Sequence, residues 1–390
     1  MSETSADKLT VKARSNESTM ARPHPALIDI AAGRAARTVD NEVAFVESAL
    51  EHRMAGLASW AAANGTLTVG PEARQTLAAL KLAAAAHNVK VEAATVKTIG
   101  TLRSAGWDAA IFKGVATEMR WYPERGTRPT ADVDLMLNPR SRANIDEIVR
   151  LLAPGHALSG RAQLLVDGGL IQSIDIPVGD IWVDLHTDPI KVGIRLPGIE
   201  RLWARRDKIL IDSMEVAALD AEASLFQAAI HLQKDRFSRL YGFTDVAQIA
   251  AGSDLDWDWI QNYAADTGLA IHLNESLRVV ADTLGIDLPV LPGKDSRVWR
   301  AIWPERSRLR GGVGMTRRVR AHQWIPLTMP GRRRDALRWW GRVVFPPAEI
   351  VDYMHPDTSG PYPWRLIQYR SRLAYQRHRR NREQRRRSDI

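Results

Sequence analysis

The sequence contains no cysteine and no long apolar segment. The absence of cysteine excludes disulfide bonds, thiolate metal sites and cysteine nucleophiles, and it is typical of proteins of the reducing cytoplasm. No apolar run reaches the roughly 18 residues that a membrane-spanning helix requires. The polar segment 1–22 lacks the apolar stretch of a secretory signal. We therefore expect a cytoplasmic protein without a membrane span.

Acidic residues are scarce in the last quarter of the chain. Residues 300–342 hold twelve arginines against two acidic residues, and residues 365–390 hold ten arginines against two. Because arginine forks bind phosphate well, this basic region could attract a nucleic acid or another polyanion. We favour a solvated tail for 376–390, since no aromatic residue there can stack on a base. A groove for an anionic partner stays an alternative for 300–342, where tryptophans are interleaved with the arginines.

The chain length of 390 residues allows two or three domains. The hydrophobic pattern predicts an α+β fold, in which a small mixed β-sheet core has flanking helices and is followed by a helical domain. The predicted order is a disordered N-terminus at 1–24, a helical segment at 25–105, the mixed core at 106–218, the helical domain at 219–375 and a basic tail at 376–390. Short apolar or alternating runs predict strands at 109–112, 133–137, 170–176 and 181–186. The last two form a predicted hairpin with a four-residue connection at 177–180.

Two carboxylates are spaced so that they share one face of a strand. In Asp132-Val133-Asp134, residues two apart point the same way. Such close like charges repel unless a cation lies between them, and a hard divalent ion prefers these oxygen ligands. If the later strand with Asp184 lies beside this one, a third carboxylate enters the cluster. Three such groups on adjacent strands can hold two metals for displacement at phosphorus.

A phosphate-binding turn is predicted upstream of these carboxylates. Gly114 follows Lys113 at a predicted strand-to-helix junction, where backbone N–H groups and the helix N-terminus can approach a phosphate. Lys113 supplies a point charge there, and the loop before the carboxylate strand adds Arg125 and Arg128.

These motifs resemble the DNA polymerase β-type nucleotidyltransferase superfamily, and more narrowly a bacterial family of largely uncharacterised nucleotidyltransferases. The resemblance rests on segments at 111–116, 122–123, 128–135 and 183–186, with looser matches at 231–245 and 345–347. It implies transfer of a nucleoside monophosphate from an NTP, with ATP as the expected donor and pyrophosphate released, by two-metal in-line displacement with Mg²⁺ or Mn²⁺. Some members of the narrower family occur beside lasso-peptide biosynthesis genes, so the implied acceptor includes a peptide as well as a small molecule or a protein.

The resemblance also implies roles for individual residues. Asp132, Asp134 and Asp184 would be the catalytic, metal-binding carboxylates, with Asp184 favouring deprotonation of the acceptor hydroxyl. Gly114 would cradle the triphosphate, with Lys113 and Arg128 helping to neutralise it. One departure is Val115, which stands where the broader superfamily usually has serine or glycine.

Three further residues are candidates for the nucleotide site. His186 follows Asp184 by two residues, so it shares the same strand face; it could bind a phosphate, orient a metal-bound carboxylate or act structurally. His231 and Lys234 are three apart on one predicted helix face, where they could line the nucleotide site or serve the fold.

Two other functions stay open at this level. One is a non-catalytic protein with a degenerate transferase fold that binds an anion or a partner. The other is a phosphotransferase that acts on a peptide.

Overall fold

The computed structural model describes residues 22–35, 38–155, 162–167, 171–235, 237–290, 325–354, 359–368 and 371. The chain divides into two compact units, one formed by 19–333 and the other by 1–18 and 334–390. Three predicted regions therefore lie wholly or largely outside the described residues: the N-terminus 1–24, the arginine-rich stretch 300–342 up to residue 324, and the tail 376–390.

The larger unit combines one sheet with many helices. Its strands are β1 (Ala109–Ile111), β2 (Val133–Leu137), β3 (Ser173–Val178), β4 (Ile181–His186), β5 (Arg206–Ile211) and β6 (Met214–Leu219). Its described helices before the sheet and within it are α1 (Pro25–Ala31), α2 (Glu42–Glu51), α3 (Ala55–Ala63), α4 (Pro71–Ser104), α5 (Gly114–Trp121), a 3-10 helix (Pro139–Asn144), α6 (Ile145–Leu152), α7 (Ala162–Asp167) and α8 (Ile199–Ala204). After the sheet come α9 (Ala221–Lys234), α10 (Leu240–Ala251), α11 (Trp257–Thr267), α12 (Ala270–Leu284) and α13 (Ile325–Thr328). Helix α14 (Arg333–Val344) begins at the last residue of this unit.

The six strands form a single mixed sheet in the order β3-β4-β2-β1-β6-β5. Strand β1 is antiparallel to β2 and parallel to β6, while β2 is parallel to β4. The two outer pairs, β3 with β4 and β5 with β6, are antiparallel hairpins. The mixed sheet with its surrounding helices confirms the predicted α+β class.

One face of the sheet packs against helices and forms the main core. Val133 and Leu135 of β2 and the corresponding apolar residues of β4 are buried there, together with side chains of α4 and α6. Because strand side chains alternate, the residues between them face the opposite side of the sheet. Asp134 and Asp184 lie on that second face.

Helix α4 is 34 residues long and packs only part of its surface against the sheet. Pro71 and Glu72 begin it and Arg103 lies in its last turn, which suits the helix dipole. None of the described helices is both long enough and apolar enough to span a membrane.

The turn of the β3–β4 hairpin is shorter than the sequence predicted. The predicted connection at 177–180 has four residues, whereas the observed turn contains only Gly179 and Asp180, with Gly179 at φ +64°. Pro177 and Val178 belong to β3. Proline is tolerated there because β3 is an edge strand, and the side of β3 away from β4 has no neighbouring strand that would need an N–H donor.

The smaller unit is helical where it is described. It contains α14 from residue 334 onward, α15 (Ala348–Met354) and a helical stretch at 362–368. Val351 and Leu366 are buried, and the Tyr362 hydroxyl donates a hydrogen bond of 2.6 Å to the carbonyl oxygen of Pro346.

Candidate active site

The carboxylates predicted from the sequence lie on neighbouring strands. In the parallel pairing of β2 with β4, Asp134 is directly opposite Asp184. Asp132 immediately precedes β2 and is two residues from Asp134, so it follows the same side of the strand. All three line one cavity of about 300 Å³. The parallel register therefore brings together carboxylates that are about 50 residues apart in the chain.

A buried histidine joins two of these carboxylates. The Nε2 atom of His186 lies 2.9 Å from Oδ1 of Asp134 and 3.0 Å from Oδ2 of Asp184. The imidazole is fully buried and meets the Phe112 ring edge-on, with 4.7 Å between the ring centroids. The same Oδ2 atom of Asp184 accepts a hydrogen bond of 2.6 Å from Nζ of Lys191. The structure thus holds both carboxylates in fixed orientations.

The same cluster has the dimensions of a cation site. One ligand atom from each of Asp134, Asp184 and His186 lies within 4.8 Å of the others. Oδ1 of Asp184 is buried and, among the described residues, has no hydrogen-bond partner. Asp175 on β3 is opposite Asp184 in the hairpin register and adds another negative charge. An unpartnered carboxylate oxygen among several acids fits a hard divalent cation.

The charges around the cluster divide the carboxylates into two classes. Burial, together with the charges of Asp134 and Asp184, raises the pKa of Asp132 to about 6. Burial also opposes ionisation of Asp134, but Lys113 and His186 outweigh it and hold its pKa well below the usual range. His186 and Lys191 likewise outweigh burial at Asp184 and hold its pKa low. Asp134 and Asp184 are therefore firmly ionised, while at Asp132 the charge of Lys113 only partly offsets the effects that raise its pKa.

The predicted phosphate turn has an unusual backbone. Lys113 caps α5 at φ +56° and ψ −158°, a conformation that L-residues rarely adopt, and Gly114 follows at φ +38°. A Cβ atom on Gly114 would lie 2.9 Å from Cγ2 of Thr130, so only glycine fits without a shift. The bend directs Nζ of Lys113 to within 3.6 Å of Oδ1 of Asp134. The turn thus places a cation and a helix N-terminus next to the carboxylates.

Arg128 lines the cavity, and its guanidinium group forms an ion pair with Asp245. Its Nε and Nη2 atoms each donate a hydrogen bond of 2.7 Å to Asp245, which also accepts one of 2.7 Å from the Tyr122 hydroxyl. Burial disfavours the Arg128 charge, but the adjacent Asp245 outweighs this and raises the pKa of Arg128. This buried pair ties the loop before β2 to α10.

The helical residues His231 and Lys234 line the same cavity from α9. Burial and the nearby charge of Lys113 lower the pKa of His231, and burial with the charges of Lys191 and Lys113 lowers that of Lys234. His231 lies 3.4 Å from Asp235 through Nε2. The helix therefore places His231 and Lys234 in the same cavity as the carboxylates.

Several residues in or beside this cavity were not given a role from the sequence. Thr130 contributes a buried hydroxyl that has no partner among the described residues, and Lys191, in the loop after β4, contacts Asp184 without lining the cavity. Arg53 and Arg239 come from turns far from the carboxylates in sequence. For Arg53 the only available signal was its positive charge, which is shared by many surface residues, whereas Thr130 and Arg239 lie within segments of the family resemblance.

Known proteins similar to this chain include nucleotidyltransferases. A family model described as "Uncharacterised nucleotidyltransferase" matches residues 41–285, more than half of the chain. No curated protein matches the chain. Among solved structures, the chain is similar to the crystal structure of an antigenic nucleotidyltransferase-like protein from Paracoccidioides brasiliensis, with 15% identity and a TM-score of 0.30 over 50% of this chain and 94% of that one.

Proposed function

Because the chain belongs to the uncharacterised nucleotidyltransferase family, we propose that it transfers a nucleoside monophosphate from an NTP to a hydroxyl or similar group of an acceptor. ATP is the expected donor, and pyrophosphate is the second product. The observation that carries the proposal is the direct opposition of Asp134 and Asp184 on parallel strands beside the Lys113 bend.

Asp132, Asp134 and Asp184 are the proposed ligands of Mg²⁺ or Mn²⁺. Their oxygens suit a hard cation, and the unpartnered Oδ1 of Asp184 supports the assignment. A divalent ion held there supplies positive charge against the negative charge that builds up on the phosphates during transfer. His186 is fully buried and bonds two of the carboxylates, so we assign it a positioning role.

The remaining residues bind and orient the donor. The backbone at Gly114 can approach a phosphate closely because there is no Cβ, and Lys113 adds a positive charge. His231 and Lys234 face the same cavity from α9 and would contact the nucleotide from the other side. The guanidinium group of Arg128 donates both of its hydrogen bonds at this site to Asp245, so we propose that Arg128 supports the cavity wall.

The test follows the label from ATP. The full chain is incubated with Mg²⁺, a small-molecule and peptide extract as the acceptor pool, and ATP labelled at either the α- or the γ-phosphate. We expect the α-label to enter an acceptor, and Asp134→Asn to abolish the transfer. Asp282→Asn, at an exposed position on α12, is the matched control and should retain activity. Transfer of only the γ-label would show phosphotransfer, and full activity of Asp134→Asn would refute the metal assignment.

A further inference from the structure

Two arginines from separate turns line the same cavity as the carboxylates. Arg53 lies between α2 and α3, and Arg239 is the N-cap residue of α10. The electrostatic neighbours of Arg53 are Tyr241, Arg239, Asp235 and Arg128. Lys113, in contrast, faces Asp134. The cavity thus carries cations beside the carboxylates and further cations at the turn that contains Arg53.

The backbone of Arg53 is held in a strained conformation. Its φ of +57° lies in the left-handed region, which residues with a Cβ rarely occupy. The turn is fixed against α10, because the N–H of Tyr241 donates to the carbonyl oxygen of His52 and the N–H of Leu240 donates to its Nδ1, both at 3.3 Å. Strain of this kind persists where the surrounding structure imposes it, and it clusters at ligand sites.

Asp235 is an attractive charge near Arg53, but it does not form an ion pair with this guanidinium group. Within the part of the chain that the structure describes, no ion pair joins Arg53 or Arg239 to a carboxylate. The Arg53 guanidinium stands over the Tyr241 ring, 5.4 Å from its centroid. Burial lowers the pKa of Arg53, and the neighbouring positive charge of Arg239 lowers it further. The nearby Asp235 lies against His231 and the Tyr241 hydroxyl, 3.4 Å from each.

We propose that Arg53 and Arg239 form a second anion subsite, which binds a phosphate group of the acceptor. Two partly buried guanidinium groups that form no ion pair with a carboxylate of the described residues match a phosphate dianion, because each fork can donate several hydrogen bonds to its oxygens. The donor triphosphate already has Lys113 and the Gly114 turn beside the carboxylates. The inference rests on the proposed transferase function, because only a transferase has an acceptor. It identifies that acceptor as a phosphorylated molecule.

The experiment uses inorganic phosphate as the probe, titrated calorimetrically into the full chain without Mg²⁺. We expect the Arg53→Gln/Arg239→Gln variant to bind phosphate at least about tenfold more weakly than the unmodified chain, a change of about 1.4 kcal/mol. Arg74→Gln/Arg150→Gln removes the same charge from exposed positions on α4 and α6 and should leave binding unchanged. Melting temperatures check folding, and Arg239→Gln alone serves if the double variant does not fold.

A second titration, with MgATP, separates the acceptor from the donor. The Arg53/Arg239 variant should keep its MgATP affinity within about twofold, and phosphate should not compete with MgATP. An equal loss of MgATP and phosphate affinity would place both arginines in the donor site and overturn the inference. Phosphate binding that is undiminished in the variant, or absent in the unmodified chain, would overturn it as well. Asp134→Asn should still bind phosphate. Failure of label transfer would therefore refute the transferase proposal without changing the phosphate result.

Discussion

The buried pair of Arg128 and Asp245 provides a direct test of what holds the cavity wall. Arg128→Leu would leave the Asp245 carboxylate buried with only the Tyr122 hydroxyl as a partner. Asp245→Leu would leave the guanidinium buried, since the side chain of Arg128 is only 7% exposed. Breaking a buried pair from one side costs about 3–5 kcal/mol, because the remaining charge keeps its desolvation penalty. We therefore expect each single variant to lose about that much free energy of unfolding.

The double variant Arg128→Leu/Asp245→Leu should recover most of this loss. Replacement of both members of a buried ion pair by apolar residues is often neutral or stabilising. The Tyr122 hydroxyl then lacks its acceptor, which costs about 1–3 kcal/mol. The double variant should thus be more stable than either single variant and within about 3 kcal/mol of the unmodified chain.

Urea unfolding monitored by tryptophan fluorescence measures these differences, with Arg74→Leu as the control at an exposed position on α4. Single-variant losses below about 1 kcal/mol would show that solvent reaches the pair, as in surface ion pairs. A double variant as unstable as both single losses combined would show that the two residues act independently. Either result would refute the reasoning.

Three further predictions concern separate parts of the larger unit. Asn88→Ala should lower the free energy of unfolding by about 3 kcal/mol, because the buried side chain of Asn88 forms hydrogen bonds with Glu118, Arg128 and Thr130. An unchanged urea midpoint would contradict this. Gly114→Ala should weaken MgATP binding about tenfold or more, since its Cβ would meet Thr130; calorimetry should show the loss, and full affinity would exclude the turn from the site. Burial lowers the pKa of His272 to about 4. As the pH falls below about 6.5, the His272 side chain is therefore protonated in the unfolded chain before it is protonated in the folded chain, which destabilises the fold. His272→Gln should remove a loss of about 3 kcal/mol between pH 6.5 and 4, measured by urea unfolding; parallel pH curves for both proteins would refute it.

The local parts of the fold could be predicted from sequence pattern. Strand β2 was correctly placed because Val133, Leu135 and Leu137 alternate around the acidic residue, and the helices after residue 220 follow clear apolar spacing. The hairpin turn was predicted too long, because Pro177 suggested the end of a strand. Proline at a sheet edge does not break the ladder, and sequence alone did not show that β3 is an edge.

The candidate site could be predicted only where its residues are close in sequence or belong to a family motif. The carboxylates and the Lys113 turn meet this condition. Arg53 does not, because its approach to the cavity depends on the packing of the turn after α2 against α10. The pairing of Arg128 with Asp245 was equally out of reach, since it joins a loop to a helix 117 residues away.

The central claim is that the paired strands β2 and β4 hold a divalent metal, and binding of Mn²⁺ tests it most directly. This ion is paramagnetic, and its free form gives a distinct electron paramagnetic resonance spectrum. We expect the full chain to bind Mn²⁺, and ATP to strengthen the binding. The charge-matched variants Asp134→Asn and Asp184→Asn should each lose the site, while Asp282→Asn should keep it. Mn²⁺ binding that is equally strong in all of these variants would contradict the account, because the metal would then lie away from the paired strands.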